Sequence, residues 1–235
     1  MSSAASARRT SALQAVIFDL DGTLVDSLPG IHAAVAATLA PWGIPDPGMD
    51  AVRSMIGEGA QRLLDRAFST GGRDCPPGAV DAWLGHYQRT EPVGSAPRAG
   101  ADDLLRVLHI GGLRLGLCTN KPQEPADGLV GRLGWTGRFR SVVGARSTLA
   151  RKPAPDPVRL VLSELDCDPE HAIFVGDSPT DAEAAARAGV RLVLIRGGYS
   201  RTPIDGLGAD AVIDHLADLP AVLARLFPQE NSARP

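Results

Sequence analysis

Two aspartates one residue apart, Asp19 and Asp21, stand directly after a short apolar run, Ala15-Val16-Ile17-Phe18. Alone they pass for turn residues at a strand-to-loop junction, where short polar side chains bond their own backbone. Three later segments argue for more, because each also follows an apolar run. Thr119-Asn120-Lys121-Pro122 follows Leu113 to Cys118, and Lys152-Pro153 comes shortly after Ser141-Val142-Val143. Gly176-Asp177-Ser178-Pro179-Thr180-Asp181 follows Ala172 to Val175. Open α/β sheets bind ligands at the carboxyl ends of their strands, so these groups are expected together on one edge. Such a set suits phosphoryl transfer to a carboxylate. Aspartate is a competent nucleophile for forming an aspartyl-phosphate, and a second acid two residues on can protonate the leaving oxygen and later activate water. A hard divalent cation, with Mg2+ the expected one, takes oxygen ligands and offsets the repulsion between carboxylate and phosphate. Thr119, backbone N–H groups near Asn120 and the Lys152 ammonium would hold phosphoryl oxygens. Asp181 has a second reading as a first-turn carboxylate favoured by the helix dipole. Lys121 either caps the site or sits at its rim.

The elements that must position these groups show in the hydrophobic pattern. The apolar runs named above, with two more at Arg191 to Ile195 and Ala211-Val212-Ile213, alternate with helical patterns over 101–108, 125–133, 157–165, 180–188 and 216–226. Continuous apolar strands alternating with helices predict an α/β fold, a doubly wound parallel sheet covered on both faces. The first crossover is far longer than one helix needs. Within it Ile31, Val35, Thr38 and Leu39 share a helical face, as do Ile56, Ala60, Leu63, Leu64 and Ala67, and again Val80, Trp83, Leu84 and Tyr87. Residues 28–96 are therefore expected to form an inserted helical subdomain, with residues 13–27 and 97–228 as the α/β core and 1–12 as a disordered tail.

Composition narrows the classes. The 235 residues are 44% hydrophobic with a formal net charge of −3, which gives no electrostatic case for a nucleic-acid partner. No apolar run approaches the roughly 18 residues of a membrane span, and the Ser/Ala-rich start lacks the apolar centre of a signal peptide. Cys75, Cys118 and Cys167 lack paired or metal-ligand spacing, which fits a reducing compartment such as the cytoplasm. All the basic residues but two are arginine, the exceptions being Lys121 and Lys152. An ammonium is a compact point charge where a guanidinium is a broad fork, so a tight anion site can demand one and reject the other.

The run from Asp19 through Asp21-Gly22-Thr23-Leu24-Val25-Asp26-Ser27, then Thr119-Asn120, Lys152-Pro153 and Gly176-Asp177-(x)3-Asp181, resembles in order the four signatures of the haloacid dehalogenase (HAD) superfamily. The resemblance implies a Rossmann-like core with a helical cap after the first signature. It implies Asp19 as nucleophile and metal ligand, and Asp21 as acid/base with its backbone carbonyl on the metal. Thr119 and Asn120 would bind phosphate and Lys152 would orient nucleophile and phosphate. Asp177 would ligate Mg2+, with Asp181 a ligand or just behind one. An acid at position 21 is the phosphatase and phosphomutase pattern, and the segments 56–60, 119–122 and 197–200 resemble phosphoglycolate phosphatases. Gly57 and Glu58 would then belong to a substrate loop, and Arg53 would reach a substrate carboxylate. A β-phosphoglucomutase-like sugar phosphomutase and a broad-specificity sugar or nucleotide phosphatase are the alternatives. A non-catalytic module would be expected to lack one of Asp19, Asp21, Lys152 or Asp177. Arg98-Ala99-Gly100 departs from the Pro-Gly usual at the cap exit.

Overall fold

In the computed structural model, which describes residues 12–228, β1 (Ala15–Phe18) is buried along its whole length. Val16 and Phe18 face one apolar cluster, Ala15 and Ile17 another, as a strand covered on both sides requires. β2 (Val25–Asp26) follows the first loop. Then come α1 (Leu28–Leu39), α2 (Met49–Arg53), α3 (Ala60–Ser69) and α4 (Ala79–Gly94). β3 (Ala96–Pro97) pairs antiparallel with β2, so the chain leaves and re-enters the core through one two-stranded ribbon. The remaining elements alternate: α5 (Ala101–Ile110), β4 (Arg114–Pro122), α6 (Gln123–Arg132), β5 (Phe139–Ala145), α7 (Asp156–Leu165), β6 (Ala172–Gly176), α8 (Pro179–Ala188), β7 (Arg191–Ile195), β8 (Ala211–Ile213) and α9 (Leu219–Leu226).

The main sheet has the order β5-β4-β1-β6-β7-β8 with every pairing parallel. Helices α5, α6 and α9 cover one face and α7 and α8 the other, the doubly wound arrangement the strand–helix alternation predicts. Helices α1 to α4 bury a third cluster of their own, which Tyr199 from the core joins. Two local expectations are corrected. Ile56 does not continue a helix, because α2 stops at Arg53 and α3 starts at Ala60 with Gly57 and Gly59 at positive φ between them. And β4 does not end at Cys118: it runs on to Pro122 through an irregular register, so Thr119, Asn120 and Lys121 lie within the strand and are buried. The expected tail 1–12 falls, but for Ala12, outside the described residues. Among the described residues no helix is long and apolar enough to cross a membrane.

Candidate active site

With β1 between β4 and β6, the residues following these strands meet at one edge. The centre of the meeting is Lys152, from the segment between β5 and α7. Its Nζ is buried, donates to Asp181 Oδ1 at 2.7 Å and to the Cys118 carbonyl at 2.7 Å, and stands 2.9 Å from Asp19 Oδ1. Asp181 is also the N3 residue of α8. Its Oδ2 accepts from the Ser178 hydroxyl at 2.7 Å and from the N–H groups of Asp177 and Ser178 at 3.2 and 3.1 Å. Both of its oxygens are thus engaged by protein donors, and it serves as cap and as counter-ion of Lys152 together. The buried Cys118 thiol is pushed up to about 12 by desolvation, so it offers no thiolate nucleophile.

Asp19, Asp177 and Asp181 place carboxylate oxygens within 4.8 Å of one another. Burial pushes Asp19 up to about 7 against the pull of Lys152, with Asp181 and Asp21 raising it further. Asp177 is pushed up to about 8, again by burial first and then by Asp181 and Asp19. Asp177 is held from two sides, Oδ1 accepting from Thr23 Oγ1 at 2.8 Å and Oδ2 from the Tyr199 N–H at 2.7 Å. Its pocket is closed by glycine: a Cβ on Gly22, at φ +89°, would fall 2.7 Å from Asp177 Oδ2, and one on Gly198 only 2.2 Å from it. The donor set fits a hard divalent cation. Its oxygens are carboxylate, and they are crowded enough to resist joint ionisation.

Asp21 is gripped separately. Ser27 Oγ donates to its Oδ1 at 2.6 Å, and Lys121 Nζ stands 3.0 and 3.3 Å from its two oxygens. Lys121 Nζ also donates to the Tyr87 hydroxyl on α4 at 2.7 Å. Lys121 lines the chamber from a buried position and so is not a rim residue. Its side chain is 2% exposed and joins the core to the helical insertion.

The structure brings the other sequence-predicted residues to different work. Thr119 Oγ1 accepts from the Lys121 N–H at 3.2 Å and keeps its proton to donate. The Asn120 side chain is fully committed: Nδ2 donates to the carbonyls of Gly57 at 3.0 Å and Lys152 at 2.8 Å, and Oδ1 accepts from the Lys152 N–H at 2.9 Å. It fastens the Lys152 segment and the insertion's turn to the sheet, so any contribution of Asn120 to an anion falls to its backbone N–H and not to its side chain. Arg53 lies outside the chamber lining, donating to the Gly198 carbonyl at 3.4 Å with its guanidinium over the Tyr199 ring. Glu58 is drawn off by Arg66 and Arg201, and the Arg66 bond holds its carboxyl below the usual range. Only Gly57 of this trio lines the chamber.

That chamber has a cavity volume of about 50 Å³ between the core acids and an apolar wall from the insertion, including Ile31, Ile56, Leu63 and Trp83. Trp83 Nε1 is buried without a hydrogen-bond partner among the described residues, and Trp83 lines the chamber. Sequence reasoning missed Tyr87, Trp83 and Ser27 as site residues. The helical pattern displayed the first two only as apolar-face residues, and Ser27 stood in the first signature with no role attached.

Comparisons with known proteins find relatives over most of the chain. A family described as haloacid dehalogenase-like hydrolase matches residues 13–189. The phosphoglycolate phosphatase of Rhodospirillum rubrum is 43% identical over 229 residues, with 94% of each chain covered. The N-acetylmuramic acid 6-phosphate phosphatase of Pseudomonas aeruginosa is 35% identical, covering 91% of this chain and 96% of its own. The crystal structure of a predicted phosphoglycolate phosphatase from Haemophilus somnus superposes with a TM-score of 0.82 at 26% identity, covering 90% of this chain and 98% of that one.

Proposed function

This chain belongs to the haloacid dehalogenase-like hydrolases, and from that premise we propose that it is a Mg2+-dependent phosphatase of small phosphate monoesters, 2-phosphoglycolate foremost, working through an aspartyl-phosphate. The carrying observation is the buried pairing of Asp19 with Lys152, 2.9 Å apart, beside a second acid, Asp21, held by its own lysine. An Asp19 oxygen forms a bond to phosphorus as the ester P–O bond breaks, and Asp21, carrying the proton it took from water in the preceding turnover, delivers it to the departing oxygen. Water then attacks the aspartyl-phosphate while Asp21 takes up its proton, and inorganic phosphate leaves as the Asp19–phosphorus bond breaks. Thr119 Oγ1 donates to a phosphoryl oxygen and Lys152 balances charge on both nucleophile and phosphate. Mg2+ on Asp19, Asp177 and the Asp21 carbonyl would keep these buried carboxylates ionised and neutralise the phosphate. Asp181 acts through Lys152, since its oxygens are already spent.

The substrate assignment rests on the 43% identical phosphoglycolate phosphatase and on the chamber. The chamber is small and its outer wall apolar, which favours a compact leaving group. That counts against a sugar phosphomutase, a broad sugar or nucleotide phosphatase and an N-acetylmuramate 6-phosphate phosphatase. We further read residues 28–96 as a cap over the core and, from the three unpaired cysteines, the cytoplasm as the compartment. The test is phosphate release with Mg2+ from 2-phosphoglycolate, glucose 6-phosphate, β-glucose 1-phosphate and N-acetylmuramic acid 6-phosphate. The expected result is the highest kcat/KM on 2-phosphoglycolate and no turnover of any substrate by Asp19→Asn, whose circular dichroism stays native. Turnover surviving that substitution would sink the nucleophile assignment, and a sugar phosphate heading the ranking would overturn the substrate.

A further inference from the structure

Each of the two lysines is spent on a different acid. Lys152 serves Asp19 and Asp181 through the core alone. Lys121 serves Asp21, and its remaining bond goes to a hydroxyl that the core does not own, Tyr87 on α4 of the insertion. We propose that Tyr87 and Lys121 are positioning residues that hold the Asp21 carboxyl group toward the leaving group, so that the helical insertion contributes directly to the proton transfer. The inference rests on reading Asp21 as the general acid.

The geometry around the pair leaves Lys121 little other work. Its ammonium has three N–H donors, and the two oxygens of Asp21 and the Tyr87 oxygen lie 3.0, 3.3 and 2.7 Å from it. The same nitrogen sits 4.4 Å from the Tyr87 ring centroid, so ring and hydroxyl both engage the cation. Tyr87 is itself fixed. It is 1% exposed, stacks on Trp83 with centroids 4.9 Å apart, and its hydroxyl meets Ser95 Oγ at 3.5 Å. Ser27 closes the other side of Asp21 at 2.6 Å. The Asp21 side chain, with two torsions of its own, is thereby held from both sides. Proton transfer in a transition state is sensitive to such placement, a shift of about 1 Å costing on the order of 100-fold.

A merely structural role for Tyr87 would slow every substrate alike. A role in holding the acid would not, because an aliphatic alkoxide needs the proton to leave and p-nitrophenolate does not. The readout is therefore the ratio of kcat/KM for 2-phosphoglycolate to that for p-nitrophenyl phosphate, with Mg2+ present. It reports steps through the first irreversible one and not the later attack of water. Tyr87→Phe keeps the ring and its stack but deletes the hydroxyl, and is expected to lower the ratio about 10-fold. Lys121→Met is expected to lower it about 100-fold, Lys121→Arg not to restore it because a guanidinium fork does not replace a point charge, and the double variant Tyr87→Phe/Lys121→Met to add nothing. Thermal melts establish that each variant is folded, and Asp21→Asn is run beside them. If Asp21→Asn lowers the ratio and both Tyr87→Phe and Lys121→Met leave it unchanged, the inference falls while the reading of Asp21 stands. If Asp21→Asn itself leaves the ratio unchanged, the reading of Asp21 falls and takes the inference with it.

Discussion

Without a divalent cation the folded protein should lose stability as pH rises from 5 to 8, which is unusual for a domain rich in carboxylates. Burial, opposed by Lys152 at Asp19 and reinforced by neighbouring acids, lifts Asp19 to about 7 and Asp177 to about 8 from an ordinary 3.8. In the unfolded chain both are ionised by pH 5, whereas the metal-free folded site still holds two protons. A group whose folded pKa is raised contributes stability that is full below its unfolded pKa and drains away as pH climbs to the folded one. Each such proton tilts the unfolding free energy by about −1.4 kcal/mol per pH unit, so the pair gives a slope on the order of −1 to −3 kcal/mol per unit between pH 5 and 7. The slope eases as Asp19 ionises, is about half of one proton's worth near pH 8, and vanishes a unit or more above that. Mg2+ binds the ionised folded form, so its stabilisation should grow over the same interval. Urea unfolding followed by circular dichroism at half-unit steps, in EDTA and in excess Mg2+, measures both, and Asp177→Asn should roughly halve the EDTA slope. A metal-free stability that is flat or rises from pH 5 to 7, or a Mg2+ increment that does not grow with pH, would refute the reasoning.

Two further outcomes follow from single contacts. Lys152→Met leaves Asp19 and Asp181 buried without their shared cation, and should cost about 3 to 5 kcal/mol in urea unfolding at pH 7 along with all turnover; a loss under about 1 kcal/mol would show that the two acids are not ionised together. Gly198→Ala puts a methyl 2.2 Å from Asp177 Oδ2 and should raise the Mg2+ concentration for half-maximal activity about 10-fold or more, so an unchanged Mg2+ titration would remove Asp177 from the ligand set.

What was legible in the sequence was what repeats along the chain. Ala15 to Phe18 reads as a strand buried on both faces because the apolar run is short and stops at two aspartates, and the order of helices and runs predicts the parallel sheet that is present. What was not legible depends on partners distant in sequence. Thr119, Asn120 and Lys121 look like a polar turn, yet β4 carries them into the interior because the site supplies partners: Lys152 for Asn120, Asp21 and Tyr87 for Lys121. An amide can bind an anion or clamp two loops, and only the fold reveals that Asn120 has spent its bonds on Gly57 and Lys152. Glu58 and Arg201 are separated by 143 positions, and Arg53 finds the Tyr199 ring and the Gly198 carbonyl. Spacing along one helix or turn carries no information about such meetings.

Charge balance then divides the work at the site. Four carboxylates, Asp19, Asp21, Asp177 and Asp181, face two ammonium groups, Lys121 and Lys152, and each lysine is already paired. Fully ionised, the set would carry two uncompensated negative charges in a region of low dielectric, and the upward shift of Asp19 and Asp177 is the relief available to the bare protein. A protonated Asp19 cannot attack phosphorus, and an ionised one without a cation would repel the phosphate it must reach. A divalent ion removes both obstacles with its two charges, whereas a phosphate dianion arriving first would deepen the imbalance. On this reading Lys152 stays with the nucleophile throughout, and Lys121 is left to the acid, where its bond to Tyr87 ties proton transfer to the seating of the insertion.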